Sequence, residues 1–226
     1  MLITLYVYDI SNWITNITMA QRQHMLSLVC VDRQNKVQKM KIARGQDTVL
    51  AAGYLLEQRL RDYIREQYEE EVHEFCFAYG EQGKPYLPDY PEVHFNLSHS
   101  GSYVAIAVGE VKLGVDVEVN SRNALAVARR CFHEKEYQEL LRYVDEPEQL
   151  DQHFKQYWSM KEAYIKYRGE GLKIPLSSFH VLPEENRIAG QGKPAFYWKN
   201  IEGGSVCLCY EAEGDEEINY SMQMLN

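Results

Sequence analysis

Seven residues, Leu113-Gly-Val-Asp-Val-Glu-Val119, constrain this chain more than any others. Their strict alternation is that of a β-strand, whose neighbouring side chains leave on opposite faces. Leu113, Val115, Val117 and Val119 then point into a core, and Gly114, Asp116 and Glu118 point away from it. Asp and Glu are both disfavoured in strands, and two carboxylates on one face repel each other. A solvated edge strand tolerates them. So does a strand whose acids hold a hard divalent cation, because Mg²⁺ prefers carboxylate and phosphate oxygens.

Around this segment, helix and strand signals come in clusters. Leu5 and Val7 alternate with Thr4 and Tyr6, behind Leu2 and Ile3, which predicts an N-terminal strand and not a signal peptide. Residues 21–31 read as a helix, and residues 36–44 are a basic run. A long amphipathic helix follows from about Asp47, a suitable N-cap, to Tyr68. Residues 74–79, 94–97 and 103–108 read as strands, with a turn at residues 80–85. Residues 124–130, 134–143 and 151–168 read as helices, the last stopped by Gly169 and Gly171. Strands dominate beyond Phe179. Clustering of this kind, without strict β-α alternation, predicts an α+β fold. Gln82-Gly-Lys-Pro85 recurs as Gln191-Gly-Lys-Pro194 about half a chain later, which is either chance or the trace of a duplicated fold.

The chain has 226 residues, enough for one large domain or two modest ones. Such a length buries roughly 70% of its unfolded surface and needs no covalent staples. Its net charge of −9 is unlike that of a general nucleic-acid binder. No run approaches the ~20 apolar residues of a membrane span. The cysteines are Cys30, Cys76, Cys131, Cys207 and Cys209, with no CxxC pair, which fits a reducing cytoplasm. Cys207 and Cys209 read as buried apolar residues.

Two further segments carry chemistry. In Tyr157-Trp-Ser-Met-Lys-Glu-Ala-Tyr-Ile-Lys166, residues Trp158, Glu162 and Lys166 share one helical face, with Lys161 about 100° round from Glu162. This is either a surface Glu–Lys pair, or Lys161 and Lys166 grip phosphate while Glu162 supplies a third carboxylate. In Phe95-Asn-Leu-Ser-His-Ser100, Ser98 offers a hydroxyl and His99 an imidazole that pairs with phosphate when charged. Ordinary hydrogen bonds at a strand end explain the same residues. A serine-hydrolase reading would need Ser98 as nucleophile, but the G-x-S-x-G elbow is absent, and adjacent Ser and His in a strand face opposite ways. His133-Glu134 does not begin H-E-x-x-H, because position 137 is Tyr, and neither a Walker A loop nor G-x-G-x-x-G occurs. Phosphates are then held by side chains and a metal.

In this order and spacing, the segments resemble the monomeric 4′-phosphopantetheinyl transferases of the type that activates surfactin synthetase. The matching text is Gly83-Lys-Pro85, Phe95-Asn-Leu-Ser-His-Ser100, Gly114-Val-Asp-Val-Glu118, Phe132-His-Glu-Lys-Glu136, Trp158-Ser-Met-Lys-Glu-Ala163, Lys166 and Gly169-Glu-Gly171. It spans roughly residues 80–180, and the first 75 residues resemble the family only in layout. The resemblance implies an α+β fold of two similar halves related by a pseudo-two-fold axis, with coenzyme A in the cleft between them. Residues 1–110 would form the N-terminal half, and residues 111–226 the C-terminal half that carries the metal-binding acids.

Carried over residue by residue, the resemblance implies Mg²⁺ ligands at Asp116, Glu118 and Glu162, with Mn²⁺ as a substitute. Lys161 and Lys166 would neutralise phosphate, and Ser98 and His99 would hold the 3′-phosphate. Gly83 to Pro85 would lie by the adenine, with Lys84 reaching phosphate. Lys36 and Lys39 are the choice for further 3′-phosphate contacts, with Lys41 and Arg44 as alternatives. Glu136 matches a family acid whose role these residues do not reveal. The implied reaction is attack by a serine hydroxyl of an apo acyl- or peptidyl-carrier protein on the β-phosphate of coenzyme A, releasing 3′,5′-ADP. Glu162 would take the serine proton, directly or through a water, and Lys166 would stabilise the transferring group. The expected partners are coenzyme A and the carrier, without nucleic acid or membrane, and the expected state is a cytoplasmic monomer. The other reading is a catalytically silent module that binds coenzyme A or a carrier.

Overall fold

The N-terminal alternation forms strand β1 (Leu2–Asp9), with Ile3, Leu5 and Val7 fully buried. The structure, a computed structural model, describes residues 2–41, 43–121, 123–214 and 217–224. Three short helices follow: α1 (Ser11–Asn16), α2 (Met19–Ser27) and α3 (Val31–Lys39). Thr18 and Gln21 close a reciprocal capping box at the start of α2. The single helix expected over residues 21–31 is thus two. They break where the buried Glu57 carboxylate accepts the Cys30 N–H at 2.9 Å, a bond that takes the place of a helical one. The basic run at residues 36–44 is, in its first part, the end of α3.

The long helix α4 (Ala43–Tyr68) packs its apolar stripe, including Leu50, Leu56, Leu60 and Ile64, into the N-terminal core. Residues 74–79 contribute only the two-residue strand β2 (Ala78–Tyr79), shorter than expected. Arg61 donates to the carbonyls of Val72 and His73, so the segment entering β2 is held by a side chain and not by a neighbouring strand. A turn carries β2 into β3 (Pro85–Tyr86), and β4 (His94–Ser100) and β5 (Tyr103–Gly109) follow. β5 is buried along its whole length.

The acidic segment forms β6 (Leu113–Glu118). Helices α5 (Ala124–Cys131), α6 (Glu134–Leu140) and α7 (Pro147–Arg168) succeed it. Pro147 opens α7 in its first turn, and Gly169 closes it at φ 71°, a left-handed conformation suited to glycine. Strands β7 (Val181–Leu182), β8 (Arg187–Ile188), β9 (Ala195–Ile201), β10 (Gly204–Tyr210) and β11 (Glu217–Met224) complete the chain.

The result is α+β, as expected, in two parts that each set a long helix against a sheet. One sheet runs β11-β1-β5-β4 and the other β6-β10-β9-β8-β7, with β2-β3 as a separate ribbon. One element departs from the expected division. β11, assigned by sequence to the C-terminal half, returns to pair parallel with β1, because β1 otherwise has an open edge. The two Gln-Gly-Lys-Pro copies sit differently: the first turns between β2 and β3, and the second leads into β9. Among the described residues, no helix is long and apolar enough to cross a membrane.

β4 and β6 belong to different sheets and meet through side chains. Asn96 Oδ1 accepts the Val115 N–H at 2.9 Å, Ser98 Oγ donates to Asp116 Oδ1 at 2.8 Å, and Ser100 Oγ donates to Glu118 Oε1 at 2.6 Å. Every second residue of β4 therefore zips the two halves together. On its other side β6 lies directly on α7. A Cβ added at Gly114 would stand 2.2 Å from Tyr167 N and 2.4 Å from Ala163 O. No side chain can give way there, because both atoms are backbone. Gly114→Ala is expected to destabilise the fold by about 3 kcal/mol, at the upper end of overpacking costs. A thermal melt should then fall by about 6–12 °C, and an unchanged melt would show that α7 can retreat freely.

Candidate active site

The close approach at Gly114 brings α7 over the acidic face of β6. Lys166 Nζ lies 2.7 Å from Asp116 Oδ1 and donates to Ser98 Oγ at 2.8 Å. Asp116 is buried, and its second oxygen, Oδ2, has no hydrogen-bond partner among the described residues. Burial pushes its carboxyl up, while Lys166 and the Ser98 hydroxyl pull it down and Glu118 adds repulsion. Glu118 Oε1 is crowded with donors: Ser100 Oγ, the Val119 and Asn120 N–H groups and the Asn120 amide. Glu162, half-buried on α7, is pushed up first by burial and next by Asp116. Three carboxylates thus share one region: Glu118 raises the cost of ionising Asp116, and both raise that of Glu162.

These residues fit a hard cation in kind. A buried carboxylate oxygen without a partner is an acceptor waiting for a positive centre, and mutual repulsion among acids is what a divalent ion relieves. The fit is incomplete in placement, because among the described residues no three His, Cys, Asp or Glu side chains are gathered into a ready ligand set. The Lys166 ammonium supplies the positive charge beside Asp116.

A cavity of about 270 Å³ lies on the other side of β4. Its walls include Arg33 and Lys36 from α3, Tyr79, Gly83 and Pro85 from the β2–β3 ribbon, and His99 from β4. The Tyr79 hydroxyl donates to Asp32 at 3.2 Å and ties the ribbon to α3. Burial lowers the pKa of Lys36, and the Arg33 charge lowers it further. His99 is held down first by burial and then by Lys36, Lys166 and Arg33. Among the described residues, no carboxylate lies within ion-pair distance of Arg33 or Lys36. Arg33, Lys36 and His99 share this cavity with one acid, Asp32, so its basic groups outnumber its carboxylates.

Four expectations require correction. Lys161 is fully buried and cannot touch a ligand in the cleft: its amine is 2.8 Å from Glu136, donates to the Leu176 and Phe179 carbonyls, and lies over the Phe179 ring. Lys84 points inward, donating to the Leu113 and Lys166 carbonyls at 2.7 Å each, and burial pushes its pKa down to about 8. It braces the ribbon against β6 and α7. Ser98 is buried and hydrogen-bonded to Asp116 and Lys166, so it serves the acidic side, with His99 alone facing the cavity. The same geometry removes Ser98 as a hydrolase nucleophile. Lys39 is exposed and outside the cavity wall, since it lies six residues from Arg33 and about 120° off its helical face. Lys41 is likewise exposed, and the side chain of Arg44 lies outside the described residues.

Sequence reasoning missed Arg33. The available signal was its i,i+3 spacing from Lys36, which has meaning only once residues 31–39 are known to be one helix. Glu136 also gains a role. It is fully buried, accepting from the His133 and Val181 N–H groups as well as from Lys161. This ion pair ties α6, α7 and β7 together.

Two family descriptions together match residues 12–210 of the chain: "4′-phosphopantetheinyl transferase, N-terminal" over residues 12–111 and "4′-phosphopantetheinyl transferase superfamily" over residues 112–210. The chain is 35% identical over 161 residues to the 4′-phosphopantetheinyl transferase Sfp of Bacillus subtilis (strain 168), covering 71% of this chain and 69% of that one. It is 41% identical over 154 residues to the 4′-phosphopantetheinyl transferase psf-1 of Bacillus pumilus, 68% of this chain and 63% of that one. Similarity extends to the L-aminoadipate-semialdehyde dehydrogenase-phosphopantetheinyl transferase of Mus musculus, at 30% over 157 residues, 63% of this chain and 46% of that one. The chain belongs to the 4′-phosphopantetheinyl transferase family and is an enzyme of that activity.

The buried ion pair gives a direct check on the Lys161 correction. Lys161→Met leaves Glu136 buried without its cation, at an expected cost of roughly 3–5 kcal/mol. Urea unfolding should show this loss, and adding Glu136→Gln, which removes the charge but keeps an acceptor for the His133 and Val181 N–H groups, should restore part of it. A Lys161→Met protein of normal stability that has lost only ligand affinity would return Lys161 to the phosphate site.

Proposed function

We propose that this enzyme transfers the 4′-phosphopantetheine arm of coenzyme A to a serine of an apo acyl- or peptidyl-carrier protein. The new bond joins the serine oxygen to the β-phosphorus. The pyrophosphate P–O bond breaks, and its electron pair leaves with 3′,5′-ADP. The observation that carries this reading is the pairing of two sites across β4: Arg33, Lys36 and His99 outnumbering the single acid Asp32 on one side, and clustered acids with an orphaned Asp116 oxygen on the other. Coenzyme A has that polarity, with a 3′-phosphate at one end of its nucleotide and a pyrophosphate at the other.

Arg33, Lys36 and His99 bind the 3′-phosphate, and Gly83 and Pro85 flank the adenine. Asp116, Glu118 and Glu162 are the residues that would hold Mg²⁺, with Mn²⁺ as a substitute. When bound, the ion supplies charge neutralisation for the pyrophosphate. Ser98 orients Asp116 by donating to one of its oxygens, which leaves the other without a protein partner among the described residues. Glu162 accepts the serine proton through a water, because a carboxylate that also holds the metal is a weaker base; burial raises its pKa from the ordinary value. Lys166, already beside Asp116, stabilises charge on the transferring phosphoryl group. Next to Glu118 a shallow depression walled by Val127, Phe154 and Trp158 gives the carrier serine an apolar approach.

The halves divide near residue 110, with β11 lent back to the first. The enzyme works as a monomer in the cytoplasm; five free cysteines suit reducing surroundings. Intact-mass analysis of an apo carrier incubated with coenzyme A, Mg²⁺ and the enzyme tests the reaction. The expected result is one added phosphopantetheine, abolished by EDTA. Glu162→Gln should cut turnover by about 10²–10⁴-fold, the range of general acid–base catalysis, with little change in coenzyme A affinity. Coenzyme A binding without transfer to any of several carriers would instead mark a silent binding module.

A further inference from the structure

Arg33 owes its place in the cavity to a residue on another helix. Gly53 is buried in α4, and the Arg33 side chain crosses it. A Cβ built at Gly53 would stand 2.5 Å from Arg33 Nε and 2.6 Å from both Cδ and Cγ. Those three atoms span the middle of the side chain, so no rotation of the guanidinium tip alone relieves the contact. The whole stem must leave the α4 surface.

The Glu57 carboxylate, one turn along α4, attracts the Arg33 charge without a direct bond. Among the described residues, no hydrogen bond or ion pair joins the Arg33 guanidinium to another side chain. The next turn of α4 fixes the backbone: Glu57 accepts the Cys30 N–H and so pins the start of α3. That bond holds the start of α3 at a point other than position 53, where the contact is to the Arg33 side chain. On the cavity side Arg33 joins Lys36, His99 and the acid Asp32, and α4 contributes Leu56 to the wall.

We infer that Gly53 is a specificity-determining position, which seats Arg33 against α4 so that the enzyme selects coenzyme A over the analogue lacking the 3′-phosphate. This rests on reading the cavity as the coenzyme A nucleotide site. Gly53 touches no substrate; it is a positioning residue that acts through Arg33. Glycine in a helix interior is otherwise disfavoured, so alanine here should preserve or improve the fold while it displaces the arginine. Weakened substrate recognition without loss of stability is not what a merely structural glycine would give.

The test is a double-mutant cycle of Gly53→Ala and Arg33→Gln, reading kcat and KM with coenzyme A and with 3′-dephospho-coenzyme A, alongside a thermal melt. Gly53→Ala is expected to raise KM for coenzyme A roughly tenfold, the scale of one charge-assisted contact. It should leave kcat and the KM for the dephospho analogue within about twofold. In the Arg33→Gln background the same change should add nothing. A full penalty from Gly53→Ala on top of Arg33→Gln, an equal rise for both substrates, or no rise at all while Arg33→Gln shows one, overturns the role of Gly53. If Arg33→Gln itself leaves the preference for coenzyme A intact, the nucleotide-site reading fails instead.

Discussion

The contact on which the rest of this structure depends is backbone against backbone, where β6 meets α7 at Gly114. A helix normally stands off a sheet by the thickness of two side chains. Here one of them is missing, and the helix settles until Tyr167 N and Ala163 O would touch a methyl group at position 114. That descent brings Lys166 within 2.7 Å of Asp116. Without it, the residues on α7 and the acids on β6 would be neighbours in a diagram only.

β4 divides the labour. Its even-numbered residues, Asn96, Ser98 and Ser100, turn towards β6 and fasten the two halves. Leu97 and His99, one residue out of step, turn towards the cationic cavity. A single strand therefore serves as the hinge pin between the halves and as the partition between two charge environments. The strand pleat explains why Ser98 and His99, adjacent in sequence, serve different sites. Lys84 and Lys161 show the converse. Both are cations in recognised motifs, and both spend their charge inside the protein, one bracing the ribbon and one paired with Glu136.

Much of this was legible in the sequence because it depends on period. The alternation at residues 113–119 placed Asp116 and Glu118 on one face, and spacing by four placed Glu162 and Lys166 together. The end of α7 followed from Gly169, and the α+β class from clustered elements. What was not legible depends on tertiary partners. The break between α2 and α3 is made by Glu57, far along the chain, and it sets the helical phase that admits Arg33 and excludes Lys39. The parallel pairing of β11 with β1 joins the two ends of the chain, and no local pattern announces it. The inward turn of Lys84 and Lys161 is decided by which carbonyls happen to face them after folding.

Asp116 and Glu118 on β6 and Glu162 on α7 are proposed to hold a cation beside the bound coenzyme A. Titration of Mn²⁺ followed by electron paramagnetic resonance, with coenzyme A present, tests it most directly. The account predicts one bound ion per chain in the native protein and its loss in Asp116→Asn. Undiminished Mn²⁺ binding by that variant would contradict it, and would place the metal somewhere other than this seam.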